Sequence, residues 1–185
     1  MKRIFILLST LILFVSAPAL SARKGKSVQY GVSIGIGTGI PISPDEFETN
    51  HDPSFGALLD FEAQWKWLAP SVSANYNFFV SNGLEPDDAN ALTLFLNLKL
   101  KPLSKGGLRP YVLVGGGYFR YWIVDLDLTE NTTGWHYGGG VDIDISKSQR
   151  LFIDARYVEG RTRETNPTKA NTTYVPIRVG LTFVF

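Results

Sequence analysis

At 185 residues the chain suffices for one domain with a substantial core, and its formal charge of +1 gives no electrostatic basis for binding nucleic acid. It has no cysteine, which excludes a disulfide framework, a thiol nucleophile and a lipid-modified cysteine. An exported chain of this kind must draw its stability from elsewhere, and a closed hydrogen-bonded sheet is one source.

Lys2 and Arg3 precede an apolar stretch from Ile4 to Val15 broken only by Ser9 and Thr10, and small residues follow through Ala22. That layout predicts a secretory signal peptide over residues 1–22, cut after Ala19 or Ala22, and one domain over 23–185. The apolar stretch is shorter than the ~20 residues that a spanning helix needs. Without Lys2 and Arg3 the exported chain sits near −1. No later apolar run reaches helix-spanning length, so any insertion into a membrane would have to use strands.

Beyond residue 26 the pattern alternates with period two, and eight segments bounded by turn-forming residues read as strands. The first, about 27–40, sets Val28, Tyr30, Val32, Ile34 and Ile36 against Gln29, Gly31, Ser33, Gly35 and Gly37. The second, 55–67, sets Ala57, Leu59, Phe61, Ala63, Trp65 and Trp67 against Asp60, Glu62, Gln64 and Lys66. The third, 71–80, alternates Val72, Ala74, Tyr76, Phe78 and Val80 with Ser73, Asn75 and Asn77. The fourth alternates Leu92, Leu94, Leu96, Leu98 and Leu100 with Thr93, Asn97, Lys99 and Lys101, with Phe95 as an exception. The fifth, 109–124, is apolar on both faces, so its facing stays open. The sixth, 135–145, sets Tyr137, Val141, Ile143 and Ile145 against His136, Asp142 and Asp144. The seventh, 150–158, sets Leu151, Ile153, Ala155 and Tyr157 against Asp154 and Arg156. The eighth, 172–185, presents Tyr174, Val175, Ile177, Val179, Leu181, Phe183 and Phe185, with Arg178, Gly180 and Thr182 between.

Connections after the second, fourth and sixth strands are short (68–70, 102–108, 146–149), and those after the first, third, fifth and seventh are longer (41–54, 81–90, 125–134, 159–171). Outer-membrane barrels have short periplasmic turns and longer external loops. Alternation alone also fits a soluble barrel with its apolar face inward. Three features favour the inverted arrangement, with apolar residues toward lipid. The polar face carries small residues and charges of both signs, which suit a narrow lumen. Aromatics fall at strand ends: Tyr30, Trp65, Trp67, Tyr111, Phe183 and Phe185 toward the short turns, and Tyr118, Tyr121, Trp122, Trp135, Tyr137, Tyr157 and Tyr174 toward the long loops. The last strand also ends on an aromatic, Phe185.

The chain resembles the small outer-membrane barrels of the OmpA/OmpX kind over nearly all of its exported length. The stretch from Arg109 to Tyr118, RPYVLVGGGY, is similar to a Pro-Tyr and glycine-repeat strand of that family. The resemblance implies an eight-stranded antiparallel up-and-down barrel in the bacterial outer membrane, with Phe185 as the residue read by the barrel-assembly machinery. It does not imply peptidoglycan anchoring, because no such domain accompanies the barrel.

Two histidines bear on catalysis. His136 sits near a strand end with Thr133 nearby in sequence, and a lipid A-modifying enzyme built around it is one alternative. His51 lies in a polar loop beside Asp52. The expected role is structural: folding the last hairpin about Asn166 sets Asp154 opposite Arg178, with Arg156 and Asp142 close by, as a lumen ion-pair network. Gly115–Gly117 and Gly138–Gly140 are followed by no helix and no Lys-Ser/Thr pair, so tight packing of a curved wall explains them better than a phosphate loop. Asn131 and Asn171 head glycosylation-like triplets read as loop residues, and Asp45, Glu46 and Glu48 read as a solvated acidic loop. No cofactor or metal is expected. Expected partners are outer-membrane lipid, lipopolysaccharide, the assembly machinery and a host or envelope protein met by the external loops. A soluble barrel carrying a small apolar ligand is the third reading.

Overall fold

The computed structural model describes residues 28–42, 52–81, 88–102, 107–123, 128–161 and 172–185. The expected signal segment, His51, the acidic loop residues Asp45, Glu46 and Glu48, and Asn166 and Asn171 lie outside them. Eight strands follow one another: β1 (Gln29–Pro41), β2 (Ser54–Gln64), β3 (Leu68–Phe79), β4 (Ala89–Leu100), β5 (Leu108–Ile123), β6 (Leu128–Asp144), β7 (Gln149–Arg161) and β8 (Thr172–Val184). Each pairs antiparallel with its sequence neighbour, and β1 also pairs with β8, from Gly31↔Val184 to Pro41↔Tyr174. The sheet is therefore closed, and no edge strand is left to seek hydrogen bonds elsewhere.

The faces are inverted relative to a soluble barrel. Ile34, Ile36, Leu94, Leu96, Val112, Val114, Ile153 and Ile177 stand on the outer surface, with Leu96 70% and Ile36 69% exposed. Asp60, Glu62, Lys99, Asp142, Asp154, Arg156 and Arg178 are buried inside. An outer wall of leucine, isoleucine and valine would be unfavourable in water over so large an area and is what hydrocarbon requires. Among the described residues no helix is long and apolar enough to cross a membrane.

The facing of β5 is now fixed: Tyr111, Leu113 and Phe119 point inward, while Val112, Val114 and Tyr118 point outward. Its inward apolar residues explain why the sequence showed no alternation there. Phe95 is likewise an inward residue.

Three boundaries differ from the sequence expectation. The second strand stops at Gln64, not Trp67. Trp65 and Leu68 close a two-residue turn through paired backbone bonds of 2.7 and 3.0 Å, with Lys66 at φ 57°. Trp65 and Trp67 thus stand at the rim, and 68–70 belongs to β3. The sixth strand begins at Leu128, because Thr129–Thr133 pair with Tyr118–Trp122 and prolong the hairpin. The expected loop 125–134 therefore shrinks to residues 124–127, shorter than the 101–107 connection at the opposite rim. The short-long alternation consequently fails at this one hairpin, which spends its length on paired strand. Lastly, Tyr111, Tyr121 and Tyr174 do not belong to the aromatic belts: Tyr111 and Tyr174 are buried in the lumen, and Tyr121 packs on its inner apolar cluster.

The outer wall generates a test. Leu96→Lys should destabilise the barrel by about 2–4 kcal/mol in lipid vesicles, the cost of a cation near the bilayer midplane. An exposed position on a soluble barrel would shift by about 0.5 kcal/mol or less. Urea unfolding in phospholipid vesicles reads the difference, and a near-zero effect contradicts the inverted orientation.

Candidate functional site

The inward side chains form layers along the barrel axis. At the short-turn rim Arg150 donates from Nε to Asp144 Oδ1 (3.1 Å) and from Nη2 to Gln29 Oε1 (2.6 Å). Arg109 reaches the other oxygen of Asp144 at 2.9 Å. Above this rim lies a chain of alternating charge. Lys101 bridges Glu62 (2.8 Å) and Asp142 (2.8 Å), while Lys99 bridges Glu62 (3.1 Å) and Asp60. The pattern follows from strand geometry. Lys99 on β4 and Lys101, one residue past its end, are two residues apart and share a face, as do Asp60 and Glu62 on β2, so the two pairs meet across the lumen.

Higher up, Asp154 faces Arg178 in the β7–β8 register. Arg156 donates to Asp154 Oδ2 from Nη2 at 2.6 Å and from Nε at 3.0 Å. Arg178 Nε approaches Asp154 Oδ1 at 3.2 Å, a charge contact off the hydrogen-bond direction, and its Nη1 donates to Asn75 Oδ1. Tyr111 donates its hydroxyl to Asp154 Oδ2 at 3.3 Å. The structure thus brings Asp154, Arg156 and Arg178 together. Asp142 belongs instead to the lower chain, through Lys101. The sequence reading placed Asp60, Glu62 and Lys99 on the polar face but did not join them. The available signal was the i, i+2 pairing of like charges on β2 and β4, whose meeting across the lumen needs the closed barrel.

His136 is 1% exposed. Its Nε2 lies 2.7 Å from Asn97 Oδ1, and its ring sits edge-on to Phe95 with centroids 4.7 Å apart. Asn97 in turn donates to Ser73 (3.0 Å) and Ser71 (3.2 Å). The partner of His136 Nε2 is thus a neutral amide, not the hydroxyl or carboxylate that nucleophilic chemistry uses. The glycine triplets make room for these groups. A β-carbon at Gly138 would meet Arg156 Cα at 2.7 Å, and one at Gly140 would meet Asp154 Cβ and the Tyr111 hydroxyl, each at 2.7 Å. Toward the long-loop end, Phe79, Phe95, Phe119, Val158 and Tyr174 form an apolar layer over the polar one, with Phe79 and Tyr174 edge-to-face at 5.3 Å.

At the chain terminus, Phe185 is 78% exposed. Its backbone N–H donates to Tyr30 at 2.9 Å, which extends the β1–β8 seam to the final residue. Among the described residues no group of three potential metal ligands is gathered.

A closed barrel of eight up-and-down strands, apolar outside and filled with paired charges inside, defines a transmembrane barrel of the outer-membrane type. The chain belongs to the outer membrane protein beta-barrel domain family, whose model matches residues 6–185, and it is an integral outer-membrane protein. Among solved structures it is similar to neisserial surface protein A, at 13% identity and TM-score 0.66, covering 88% of this chain and 100% of that one. It is also similar to OprG from Pseudomonas aeruginosa, at 14% identity and TM-score 0.60, covering 86% and 97%. Ail of Yersinia pestis follows, at 14% identity and TM-score 0.54, covering 86% and 99%. No match was found among curated proteins. The soluble ligand carrier considered from sequence is overturned by the family and by the outward apolar face.

The lumen charges predict unequal costs. Asp154→Ala leaves Arg156 and Arg178 buried without their shared carboxylate and should cost about 3–5 kcal/mol. Asp144→Ala at the half-buried rim should cost about 1 kcal/mol or less. Urea midpoints in vesicles measure both, and equal losses would contradict the assignment of Asp154 to the centre of the network.

Proposed function

We propose that the protein is a non-catalytic, plugged barrel: a rigid anchor that holds external loops at the cell surface and conducts no solute. The observation that carries this reading is the filled lumen. Asp142, Asp154, Arg156 and Arg178, with Asp60, Glu62, Lys99 and Lys101, act as a structural ion-pair network, and the Phe79–Phe95–Phe119–Tyr174 layer seals the outer half. Eight strands leave an interior just wide enough for side chains. An open pore would need these pairs to separate, at the cost of buried, uncompensated charge.

The reading assigns surface contact to the ends of the strands. Connections 42–53, 80–88 and 162–171 join strands at the long-loop rim, where binding residues commonly sit. Ail, similar over 86% of this chain, has been solved in complex with the heparin analogue sucrose octasulfate, an instance of a protein of this fold binding a ligand. Partners in this reading are lipopolysaccharide and host or envelope proteins. Phe185, at the open periplasmic end of the seam, is the signal for the barrel-assembly machinery.

Planar-bilayer recording tests the plug. The folded protein is expected to show no steady conductance; a stable ohmic channel would overturn the reading. Lipid A mass spectra from cells with and without the protein should be identical, and a mass difference would favour the enzyme alternative.

A further inference from the structure

The outward faces of the strands are apolar almost throughout; among the described residues the charged exceptions are Arg120 on β5 and, partly buried, Glu159 on β7. On β1, β2, β3, β4 and β8 the described outward positions bear no charge. On β5 the outward row runs Pro110, Val112, Val114, Gly116, Tyr118 and then Arg120, followed by Trp122. Arg120 is exposed, and its guanidinium carbon stands 5.3 Å from the centre of the Trp122 ring. Trp122 leans in turn on Tyr76 of β3, with centroids 6.1 Å apart. The hydroxyl of Tyr76 donates to Asn90 on β4 and that of Tyr118 donates to Asn131 on β6, so both rings are fixed from behind. The result is a cation over the Trp122 ring on the outside of the wall, with Tyr118 two residues earlier on the same outward row and Tyr76 against Trp122.

Height decides what this cation meets. Arg120 lies ten residues beyond Pro110 along β5. At ~3.4 Å per residue and ~40° of tilt, that is about 25 Å, the full depth of an outer-membrane barrel's apolar band. Arg120 therefore stands at the outer-leaflet interface, where a guanidinium in the hydrocarbon would be costly and one beside a lipid phosphate is favourable. The flanking Tyr76, Trp122 and Tyr118 rings are suited to the interface and to packing against the face of a sugar.

We propose that Arg120, set over Trp122 with Tyr118 on the same outward row and Tyr76 against Trp122, binds the phosphorylated sugar headgroup of an outer-leaflet glycolipid. The site lies on the strand wall, not in the loops, and commits to glycolipid phosphate over phospholipid because the rings answer to a sugar and the position to the outer leaflet. It deepens the lipopolysaccharide contact named above and rests on the membrane setting of that reading.

The test uses the folded protein in detergent, with native mass spectrometry as the readout and heat-modifiable migration to establish that each variant is folded. The probes are bisphosphorylated lipid A, the same lipid A with both phosphates removed, and phosphatidylglycerol. The wild-type protein should bind bisphosphorylated lipid A about tenfold more tightly than the dephosphorylated form. Arg120→Gln should abolish that preference, and Arg120→Lys should keep part of it. Equal binding of the two lipid A forms by wild type would overturn the proposal, as would an undiminished preference in folded Arg120→Gln. Phosphatidylglycerol binding as tight as lipid A would overturn the glycolipid assignment. The wild-type comparison decides even where a variant does not fold. Bilayer conductance is read separately, so failure here leaves the plugged-barrel reading intact.

Discussion

A charge enclosed in this barrel has no bulk water to turn to, and the rest of the architecture follows from that constraint. Hydrocarbon surrounds the wall, and the lumen is narrow, so each ionised side chain must find its counter-charge among the other strands. Lys101 between Glu62 and Asp142 satisfies the constraint by contacts between segments far apart in sequence, and Asp154 satisfies it with Arg156 on its own strand and Arg178 on the neighbouring β8. These contacts tie β2 to β4, β4 to β6, and β7 to β8 through the interior, in addition to the hydrogen bonds that already join neighbours. The glycines opposite them, at 138 and 140, give the long side chains the width they need.

The lumen is not uniform along its axis. Charges dominate its short-turn half and reach the middle, where Arg178 meets the amide of Asn75 near Asn97 and His136, and an apolar aromatic cluster fills the long-loop half. The outer half is thus packed like the core of a soluble barrel, while the inner half is packed like a salt lattice. This division explains why the strongest alternation lies on β2, β3 and β4, and why β5, which contributes Leu113 and Phe119 to the interior, shows none. Where the lumen is apolar, an inward residue and a lipid-facing residue look alike in sequence.

The same reasoning marks what the sequence disclosed. Strand number and order were legible from alternation, as where Leu94, Leu96 and Leu98 alternate with Thr93, Asn97 and Lys99 around the exception Phe95. The outward face was legible from the mixed charges and the aromatic strand ends. The Asp154–Arg178 opposition was legible from hairpin arithmetic. Tyr111 and Tyr174 were not, since an aromatic at a strand end suits a membrane interface and a lumen plug equally, and only parity within a fixed register separates the two. The direct partner of Asp142 was not legible, because Lys101 lies just past the end of β4 and meets it across the barrel. The turn at Lys66 was missed because its residues, two tryptophans flanking a lysine, carry none of the usual glycine or asparagine signals of a positive-φ turn.

The central claim is that the wall presents apolar side chains to lipid and encloses the charged ones. Because the chain has no cysteine, single cysteines can be introduced without background and labelled with a nitroxide. Oxygen and a water-soluble nickel chelate would then be compared as relaxers at each position from 93 to 98 on β4 in lipid vesicles. The account predicts strong oxygen contact and negligible nickel contact at Leu94, Leu96 and Leu98, alternating with low contact by either at Thr93, Phe95 and Asn97. Nickel reaching Leu94, Leu96 and Leu98, or loss of the two-residue period, would contradict it.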